Sequence, residues 1–404
     1  MSHRAWVEVD LAALVHNAGV LRRAIPAGTR LGLMVKANGY GHGLEMAARA
    51  AVSGGADQLM VASLDEGLAL RGAGISAPLL VVYSVLPDAV DDAVHAGLEL
   101  SVSGVESAGR MLDAWSRVAG RRPGDALRVH VEVDTGMGRG GVPADALADV
   151  VERVDATPAT TLAGFWSHLT DGSDAVRSRE QAARFEAALG ALGGRPGPAP
   201  VRHIAATEAL FCETAPVYDM VRIGIGYYGE VGLGVAPAPR LAALAAELRP
   251  AMSVKARPMR LEWMPAGASL GYGREWTTER PSLIATLPIG YADGWSRRYW
   301  PGAMALLRGR RVPLVGRVSM DSICVDVTDA GDDVTIDEEF VLLGAQGTER
   351  IPVTELAALR GSIPNEVFCS FGARLHRDYL DVDGIVARSD QEEHLERVGS
   401  GRPG

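Results

Sequence analysis

Short apolar runs separated by longer amphipathic segments dominate the chain between residues 31 and 225. The amphipathic segments, such as GLEMAARAAVSGG and REQAARFEAALGALGG, have the composition of helices. The apolar runs predict eight buried strands: LGLMVK (31–36), LMVA (59–62), LLVVY (79–83), 97–102 around LELSV, LRVHVEV (127–133), LAGFW (162–166), VRHIA (201–205) and DMVRIGI (219–225). Eight strands that alternate with helices predict a (β/α)8 barrel of the TIM type, an α/β fold.

The pattern changes after about residue 240, where apolar and polar residues alternate one by one between Gly and Pro turns. Stretches such as PSLIATLPIGYADG and SICVDVTDA therefore predict a mostly antiparallel β domain. We predict a barrel domain at residues 1–240, with residues 1–10 as a candidate strand of the second domain. The β-rich second domain covers 241–388, and a disordered tail covers 389–404.

Composition narrows the class of protein. The net charge of −10 disfavours nucleic acid or an anionic membrane surface as a partner. No apolar stretch is long enough to span a bilayer, and the N-terminus lacks the apolar centre of a signal peptide. The three cysteines are scattered and odd in number, so they predict neither a disulfide framework nor a metal site. We expect a protein of the reducing cytoplasm.

Lys36 ends the first predicted strand, directly before the loop ANGYGHG. In a (β/α)8 barrel the chemistry sits at the carboxyl ends of the strands, so this lysine would point into the barrel mouth. A partly desolvated lysine has a lowered pKa and readily forms Schiff bases. The competing interpretation is a strand-end lysine whose ammonium group simply reaches solvent.

Other predicted strand ends add polar groups to the same mouth. Arg139 lies in a glycine-rich loop after the fifth strand, His168 follows the sixth, Thr207 follows the seventh, and Arg222 lies in the eighth. Glycine-rich turns after strands seven and eight are where such barrels bind phosphate through backbone N–H groups. Each feature alone has a structural explanation. Together they predict a pocket for a phosphorylated aldehyde cofactor bound to lysine.

At this point the chain resembles the alanine racemase family, pyridoxal 5′-phosphate enzymes built of a barrel and a C-terminal β domain. The matching segments run almost end to end: WVEVDLAALVHN, VKANGYGHG, VASLDEGLALR, VDTGMGRGG, YADGWSRR and VGRVSMDSICVDVT. The resemblance implies interconversion of L-alanine and D-alanine. It also implies a homodimer in which each active site takes residues from both chains.

The resemblance assigns two bases. Lys36 would hold the cofactor as a Schiff base and act on the D face of the substrate, and Tyr272 of the other chain, in SLGYGREW, would act on the L face. Racemisation needs bases on opposite faces of a planar carbanion, whose charge the cofactor ring stores. Because the ordinary pKa of tyrosine is about 10, Tyr272 would need electrostatic help to work at neutral pH.

The remaining site residues are also carried over from the family. Arg222 would face the pyridine nitrogen and, since arginine keeps its proton, would make the ring a weaker electron sink. His168 would lie against the ring and bond Arg222. The phosphate would be contacted by Tyr40, Thr207, Gly224 and Ile225. The substrate carboxylate would be bound on the side of Arg139, Met320 and Asp321. Glu132 and Tyr291 would support the site.

Among the departures from the family's pattern, which include LGYG before Tyr272 and SHLTDGSD after the sixth strand, three single positions bear most on the site. Glu132 stands where the family often carries a lysine modified by carbon dioxide, and it supplies the same negative charge. Ala206 replaces an asparagine near the phosphate, and Ala373 replaces a tyrosine that closes the pocket. The loss of that ring predicts a roomier pocket unless Phe371, Tyr379 or Trp276 of the partner chain refills it.

These departures leave alternatives open. One is a racemase of a larger or related amino acid, such as serine. Others are a different pyridoxal-phosphate reaction on the same fold, such as decarboxylation, or a non-catalytic pyridoxal-phosphate-binding protein. The presence of both Lys36 and Tyr272 favours racemisation, because only a two-base mechanism needs that pair.

Overall fold

The computed structural model describes residues 3–118, 121–122, 124–194, 198–331 and 333–381, so the predicted tail at 389–404 lies outside the described residues. The described chain forms two compact units. The barrel unit contains Leu14–Gly39 and Leu44–Arg249. The second unit contains the chain up to Ala13, the short segment Tyr40–Gly43 and the chain from Pro250 onward.

Eight parallel strands form the barrel in the order β8-β7-β6-β5-β4-β3-β2-β9. Their bounds are β2 Arg30–Met34, β3 Gln58–Val61, β4 Leu79–Val81, β5 Glu99–Val102, β6 Leu127–Glu132, β7 Thr160–Trp166, β8 Val201–His203 and β9 Met220–Ile223. All eight predicted strands are therefore present. Backbone hydrogen bonds from Asp219 N to Arg202 O (3.0 Å) and from Arg222 N to Ala205 O (2.9 Å) join β8 to β9 and nearly close the barrel.

The barrel strands are apolar without alternation because parallel strands are buried on both faces. In β3 and β5, for example, every residue is buried. Gly32 in β2 is required by close packing, since a Cβ there would lie 2.6 Å from Met60 Cε and 2.7 Å from Val221 O. Burial of the barrel strands on both faces thus explains the short Leu- and Val-rich runs in the sequence.

The second unit is a mostly antiparallel sheet with the order β11-β14-β17-β16-β15-β18-β10-β1-β20. β1 (Ala5–Asp10) pairs antiparallel with β10 (Met252–Ala256) and parallel with β20 (His376–Leu380). The other strands are β11 Arg260–Met264, β14 Ser282–Leu287, β15 Met304–Leu307, β16 Arg310–Val315, β17 Ile323–Asp326, β18 Phe340–Gln346, β19 Glu349–Ile351 and the separate pair β12 Ser269–Leu270 and β13 Trp276–Thr277. β10 and β17 show the alternating burial of strands with one polar face, whereas β14 and most of β18 are buried on both faces.

Most helices lie between consecutive barrel strands, while α1 precedes the first of them, α10 follows the last, and α11 and α12 come near the end of the described chain. They are α1 Leu11–Ala24, α2 Lys36–Tyr40, α3 Leu44–Ser53, α4 Leu64–Gly72, α5 Val90–His95, α6 Val105–Arg117, α7 Leu147–Ala156, α8 Ala175–Gly190, α9 Thr207–Cys212, α10 Ala242–Glu247, α11 Val353–Arg360 and α12 Pro364–Ser370. Within the described ranges, none of these helices is long and apolar enough to cross a membrane.

Candidate active site

Lys36 stands at the carboxyl end of β2, at the start of an unusual turn. The strand ends at Met34, two residues earlier than the apolar run predicts, because the chain bends sharply after Val35. Ala37, Asn38 and Gly39 all have left-handed backbone angles, with φ between 54° and 61°. Such angles cost L-residues about 1–2 kcal/mol each. The turn that carries Lys36 therefore needs support from its surroundings.

Glu66 and Asn38 supply that support. Glu66 Oε1 accepts a hydrogen bond from Ala37 N at 2.6 Å, and its Oε2 accepts one from Ala62 N at 2.9 Å. Glu66 also closes a capping box with Ser63 at the start of α4. Asn38 Oδ1 accepts from Leu44 N at 2.9 Å and so fixes the far side of the turn. Glu66 thus ties the loop after β2 to the loop after β3.

Arg222, in β9, is the most heavily bonded side chain of the candidate site. It is 5% exposed, and both its terminal nitrogens are engaged. Nη1 donates to His203 Nδ1 (3.0 Å) and His203 O (2.8 Å), while Nη2 donates to Ser167 O (2.7 Å) and His168 Nδ1 (3.3 Å). The guanidinium also lies 4.9 Å from the centre of the Trp166 ring. Within the described ranges, its Nε–H has no hydrogen-bond partner, so one donor of the guanidinium remains unengaged.

Burial and nearby charge set the protonation of this cluster. Burial lowers the pKa of Arg222 to about 10, and it remains protonated at neutral pH. Burial, followed by the charges of Arg222, Arg139 and Lys36, lowers the pKa of His168 to about 3. His168 is therefore a neutral imidazole at neutral pH. Arg222 contacts His168 directly, and Lys36 and Arg139 are close enough for their charges to act on the same ring.

Glu132 balances part of this positive charge. It is the last residue of β6 and only 6% exposed. Burial raises the pKa of its carboxyl group, while the charges of Arg139 and Arg222 oppose that rise. Arg139 itself lies in the exposed glycine-rich loop that follows β6. The structure thus places an acidic residue among the arginines.

Two helical turns meet where the phosphate contacts were predicted. Thr207, 4% exposed, begins α9, and Gly224 precedes the 3₁₀ turn Ile225–Tyr228. Thr207 Oγ1 accepts from Gly226 N at 3.2 Å, and a Cβ on Gly226 would lie 2.9 Å from Thr207 Cγ2. The first N–H groups of a helical turn have no partner within that turn. The first backbone N–H groups of α9 and of the 3₁₀ turn are therefore neighbouring donors. Ala206, directly before α9, adds no polar side chain.

The predicted site residues Tyr272, Met320, Tyr291 and Asp321 belong to the second unit, and the first three are exposed. Tyr272 is 69% exposed, Met320 53% and Tyr291 41%. Met320 O accepts from Ala292 N at 3.0 Å, which joins the Met320 and Tyr291 turns. Arg374 Nη2 donates to Asp321 Oδ1 at 2.8 Å.

Tyr40 and Ala373 also belong to the second unit. A Cβ on Gly43, in the segment Tyr40–Gly43, would lie 1.9 Å from the Tyr379 hydroxyl oxygen, so Tyr379 packs directly on that segment. Ala373 is exposed, whereas Phe371 is 2% exposed and already committed to the core of the unit. Of the candidates for refilling the space beside Ala373, Tyr379 is the one that the structure places against the Tyr40 segment.

The sequence interpretation missed Glu66 and three buried polar residues that extend inward from Arg222. Glu66 had a detectable signal, the Ser-x-x-Glu spacing of a capping box before an apolar run. His203, His130 and Glu99 had none, because each occupies a strand position where an isolated polar residue reads as an ordinary core residue. Their contacts depend on the closure of the barrel.

Comparisons with known proteins identify the family of this chain. The family model for the alanine racemase N-terminal domain matches residues 9–231, and that for the alanine racemase C-terminal domain matches residues 251–379. An alanine racemase of Symbiobacterium thermophilum is 40% identical over 376 residues, 93% of this chain and 96% of that protein.

Two solved structures are also similar along most of the chain. The alanine racemase of D-cycloserine-producing Streptomyces lavendulae superposes with a TM-score of 0.85 at 30% identity, covering 95% of this chain and 99% of its own. A histidine racemase of Leuconostoc mesenteroides subsp. sake has a TM-score of 0.82 at 27% identity, covering 94% and 99%.

Proposed function

Because this chain belongs to the alanine racemase family, we propose that it interconverts L-alanine and D-alanine with pyridoxal 5′-phosphate held at the barrel mouth. The observation that carries the proposal is the cluster of Lys36, His168 and Arg222 at neighbouring strand ends. We propose the predicted domain 1–240, apart from its first strand and the segment Tyr40–Gly43, as the cofactor-binding domain, and the predicted domain 241–388 as the one that supplies Tyr272.

The residues present fit pyridoxal 5′-phosphate. The unengaged Nε–H of the buried Arg222 offers a donor for the pyridine nitrogen, and the adjoining turns at Thr207 and at Gly224 and Ile225 offer backbone N–H groups for a phosphate. Tyr40, at the end of the turn that begins at Lys36, is the proposed side-chain contact for the phosphate. When bound, the cofactor supplies an electron sink for the charge left when the substrate loses its α-proton.

Arg222 holds its proton and sets the strength of that sink. With a pKa of about 10 it stays charged at pH 7, so it donates a hydrogen bond and does not transfer a proton. The neutral His168 accepts from it and adds no positive charge beside the ring. We infer a modest electron sink, which favours return of a proton to the α-carbon over side reactions.

Two bases move the α-proton from opposite faces of the substrate. Lys36 Nζ serves the D face, and the Tyr272 hydroxyl of a second copy serves the L face. The exposure of Tyr272, 69% in a single chain, supports a homodimer in which this surface is covered. Arg139 and the Met320 amide bind the substrate carboxylate, and Asp321, held by Arg374, supports that side.

Glu132 takes the place of the family's modified lysine. Its carboxylate interacts electrostatically with Arg139 and Arg222. It therefore orients Arg139 without a chemical modification. Tyr291 supports the Met320 turn through the adjoining backbone contact. We expect activity that does not depend on carbon dioxide.

A racemase of a larger amino acid is the second candidate. The exposed Ala373 in place of a family tyrosine favours it, and so does the likeness to a histidine racemase. Tyr379, packed on the Tyr40–Gly43 segment, argues for a narrower pocket. A different pyridoxal-phosphate reaction or a non-catalytic role would not require both Lys36 and Tyr272.

A racemisation screen tests the proposal. Purified protein loaded with pyridoxal 5′-phosphate is incubated with each L-amino acid, and both enantiomers are measured by chiral chromatography, with Lys36→Ala as control. We expect fastest inversion with alanine. Inversion of a larger amino acid at a higher rate would favour the second candidate, and cofactor absorbance without any inversion would contradict both.

A further inference from the structure

A buried line of polar side chains leads from Arg222 through the interior of the barrel. Arg222 Nη1 donates to His203 Nδ1 at 3.0 Å, His203 Nε2 lies 3.0 Å from His130 Nδ1, and His130 Nε2 lies 2.8 Å from Glu99 Oε2. The two histidines are 0% and 1% exposed and Glu99 is 8% exposed. Arg222 lies near the end of β9 and Glu99 is the first residue of β5, so the line joins opposite ends of the barrel.

The chemistry of arginine fixes the direction of every bond in this line. Arginine has donors only, so His203 Nδ1 must be bare and its proton must lie on Nε2. His203 Nε2–H then donates to His130 Nδ1, which must also be bare. The proton of His130 therefore lies on Nε2 and points to the Glu99 carboxylate. The line runs in one direction, from arginine through two neutral imidazoles to an acceptor.

A charged His130 is incompatible with this line. A proton on His130 Nδ1 would require an acceptor at His203 Nε2, and Arg222 already requires an acceptor at His203 Nδ1. A histidine without either proton does not exist at ordinary pH. The contact between His130 and Glu99 is therefore a hydrogen bond from a neutral ring to a carboxylate. The charges nearest the two rings are Arg222 at one end and Glu99, paired with Arg128 at 2.7 Å, at the other.

The barrel is shaped around these rings. A Cβ on Gly164 would lie 2.3 Å from His130 Nδ1, so only glycine fits at that point of β7. The Trp166 ring is nearly parallel to the His203 ring, with centroids 6.3 Å apart, and its Nε1 donates to Ser101 Oγ at 2.7 Å. Ser101 Oγ in turn donates to His130 O at 3.3 Å. Close packing on both sides leaves the rings little freedom to turn over.

We propose that His130 and Glu99 are positioning residues that fix the tautomer of His203 and thereby hold Arg222 with its Nε–H directed to the cofactor. This role rests on the proposed function, because Arg222 faces the pyridine nitrogen only if the cofactor binds there. The line anchors Nη1 from behind, while the carbonyl of Ser167 anchors Nη2. A loss of either ring contact lets the guanidinium turn and misplaces the remaining donor.

Neutron diffraction from crystals of the cofactor-loaded protein grown in heavy water locates the protons directly. We expect deuterium on Nε2 of both His203 and His130 and none on either Nδ1. Deuterium on Nδ1 of either ring would overturn the proposed direction. This readout does not depend on racemisation, so it separates failure of this proposal from failure of the proposed function.

A matched set of variants tests the effect on the site. His130→Leu removes both the acceptor and the donor, whereas His130→Gln keeps an oxygen for His203 and an N–H for Glu99. Because a misplacement of about 1 Å can cost up to roughly a hundredfold in rate, we expect His130→Leu to lower kcat by about tenfold or more and to shift the absorbance maximum of the bound cofactor. His130→Gln should recover kcat to within about threefold of the wild type.

Arg128→Gln is the control, since Arg128 contacts the other oxygen of Glu99 and its side chain is 55% exposed. It should change neither kcat nor the absorbance maximum. Equal damage from His130→Gln and His130→Leu, or an unchanged rate and spectrum in a folded His130→Leu, would contradict the proposal. If His130→Leu does not fold, His130→Gln and the neutron structure decide.

Discussion

The barrel mouth around Arg222 and the exposed region around Tyr272 are built in opposite ways. Arg222 is 5% exposed and uses both terminal nitrogens in hydrogen bonds, whereas Tyr272 is 69% exposed and Met320 53%. Burying a charge is costly unless most of its donors find partners, and the partners of both Arg222 terminal nitrogens lie in its own barrel. An exposed aromatic and methionine surface is typical of a region that another protein covers. The contrast supports the proposal that the Arg222 cluster forms within one chain, whereas the surface around Tyr272 is covered by a second copy.

The largest expected effect is at the barrel side. Lys36→Ala removes the amine that is proposed to hold the cofactor, and we expect loss of racemase activity and of covalent attachment. The measurement is cofactor absorbance after borohydride treatment and dialysis. Retention of the full reduced-cofactor absorbance by the variant would show that another residue holds the cofactor.

Tyr272→Phe tests the exposed half. Removing one of two bases should block proton exchange on one face of the substrate far more than on the other. Exchange is followed as uptake of deuterium from solvent into each enantiomer of alanine. Equal uptake into both enantiomers by the variant would count against Tyr272 as the second base.

Glu66→Gln tests whether a hydrogen bond from within the barrel unit stabilises the turn that follows Lys36. Either orientation of the amide places an NH₂ group against the backbone N–H of Ala37 or Ala62, which leaves one donor unsatisfied. We expect a loss of about 1–3 kcal/mol of unfolding free energy and weaker cofactor retention. The control is Asp65→Asn at the exposed neighbouring position, expected to stay within about 0.5 kcal/mol of wild type. Similar losses of unfolding free energy in both variants would contradict a specific role of Glu66 in stabilising the turn after Lys36.

Ala373→Tyr has the smallest expected effect and concerns the rim. An aromatic ring buries about 150–250 Å², so its return should lower efficiency on bulky amino acids. Covering roughly 60 Å² of substrate corresponds to about 1.5 kcal/mol, around tenfold in kcat/KM, with alanine spared. If all amino acids respond alike, or if the wild type accepts alanine alone, the open-pocket interpretation is wrong and Tyr379 already fills the space.

The sequence was sufficient for the barrel and for the identity of its strands. Parallel strands buried on both faces read as uninterrupted apolar runs, and eight such runs between helical segments leave few other architectures. The position of Lys36 at the end of the first run was equally visible. The resemblance to a family then extended the prediction to Tyr272, which no local pattern marks as a base.

Other features depend on contacts between distant parts of the chain. The apolar run 31–36 predicts a strand up to Lys36, yet the strand ends at Met34 because Glu66 stabilises a left-handed turn. The line of polar side chains behind Arg222 likewise forms only when β5, β6, β8 and β9 come together. A histidine within an apolar run gives no sign that a second histidine lies 3.0 Å away.

Complementation between two inactive variants tests most directly whether each site uses Lys36 of one chain and Tyr272 of the other. Lys36→Ala and Tyr272→Phe chains are co-expressed with different affinity tags, and the mixed dimers are purified and assayed for alanine racemisation. In a mixed dimer one shared site carries both substitutions and the other carries neither. With random pairing, the unfractionated mixture should reach about a quarter of wild-type activity, and the purified mixed dimer about half. If the mixed dimer is no more active than its parent variants, each site is built within a single chain and the account is contradicted.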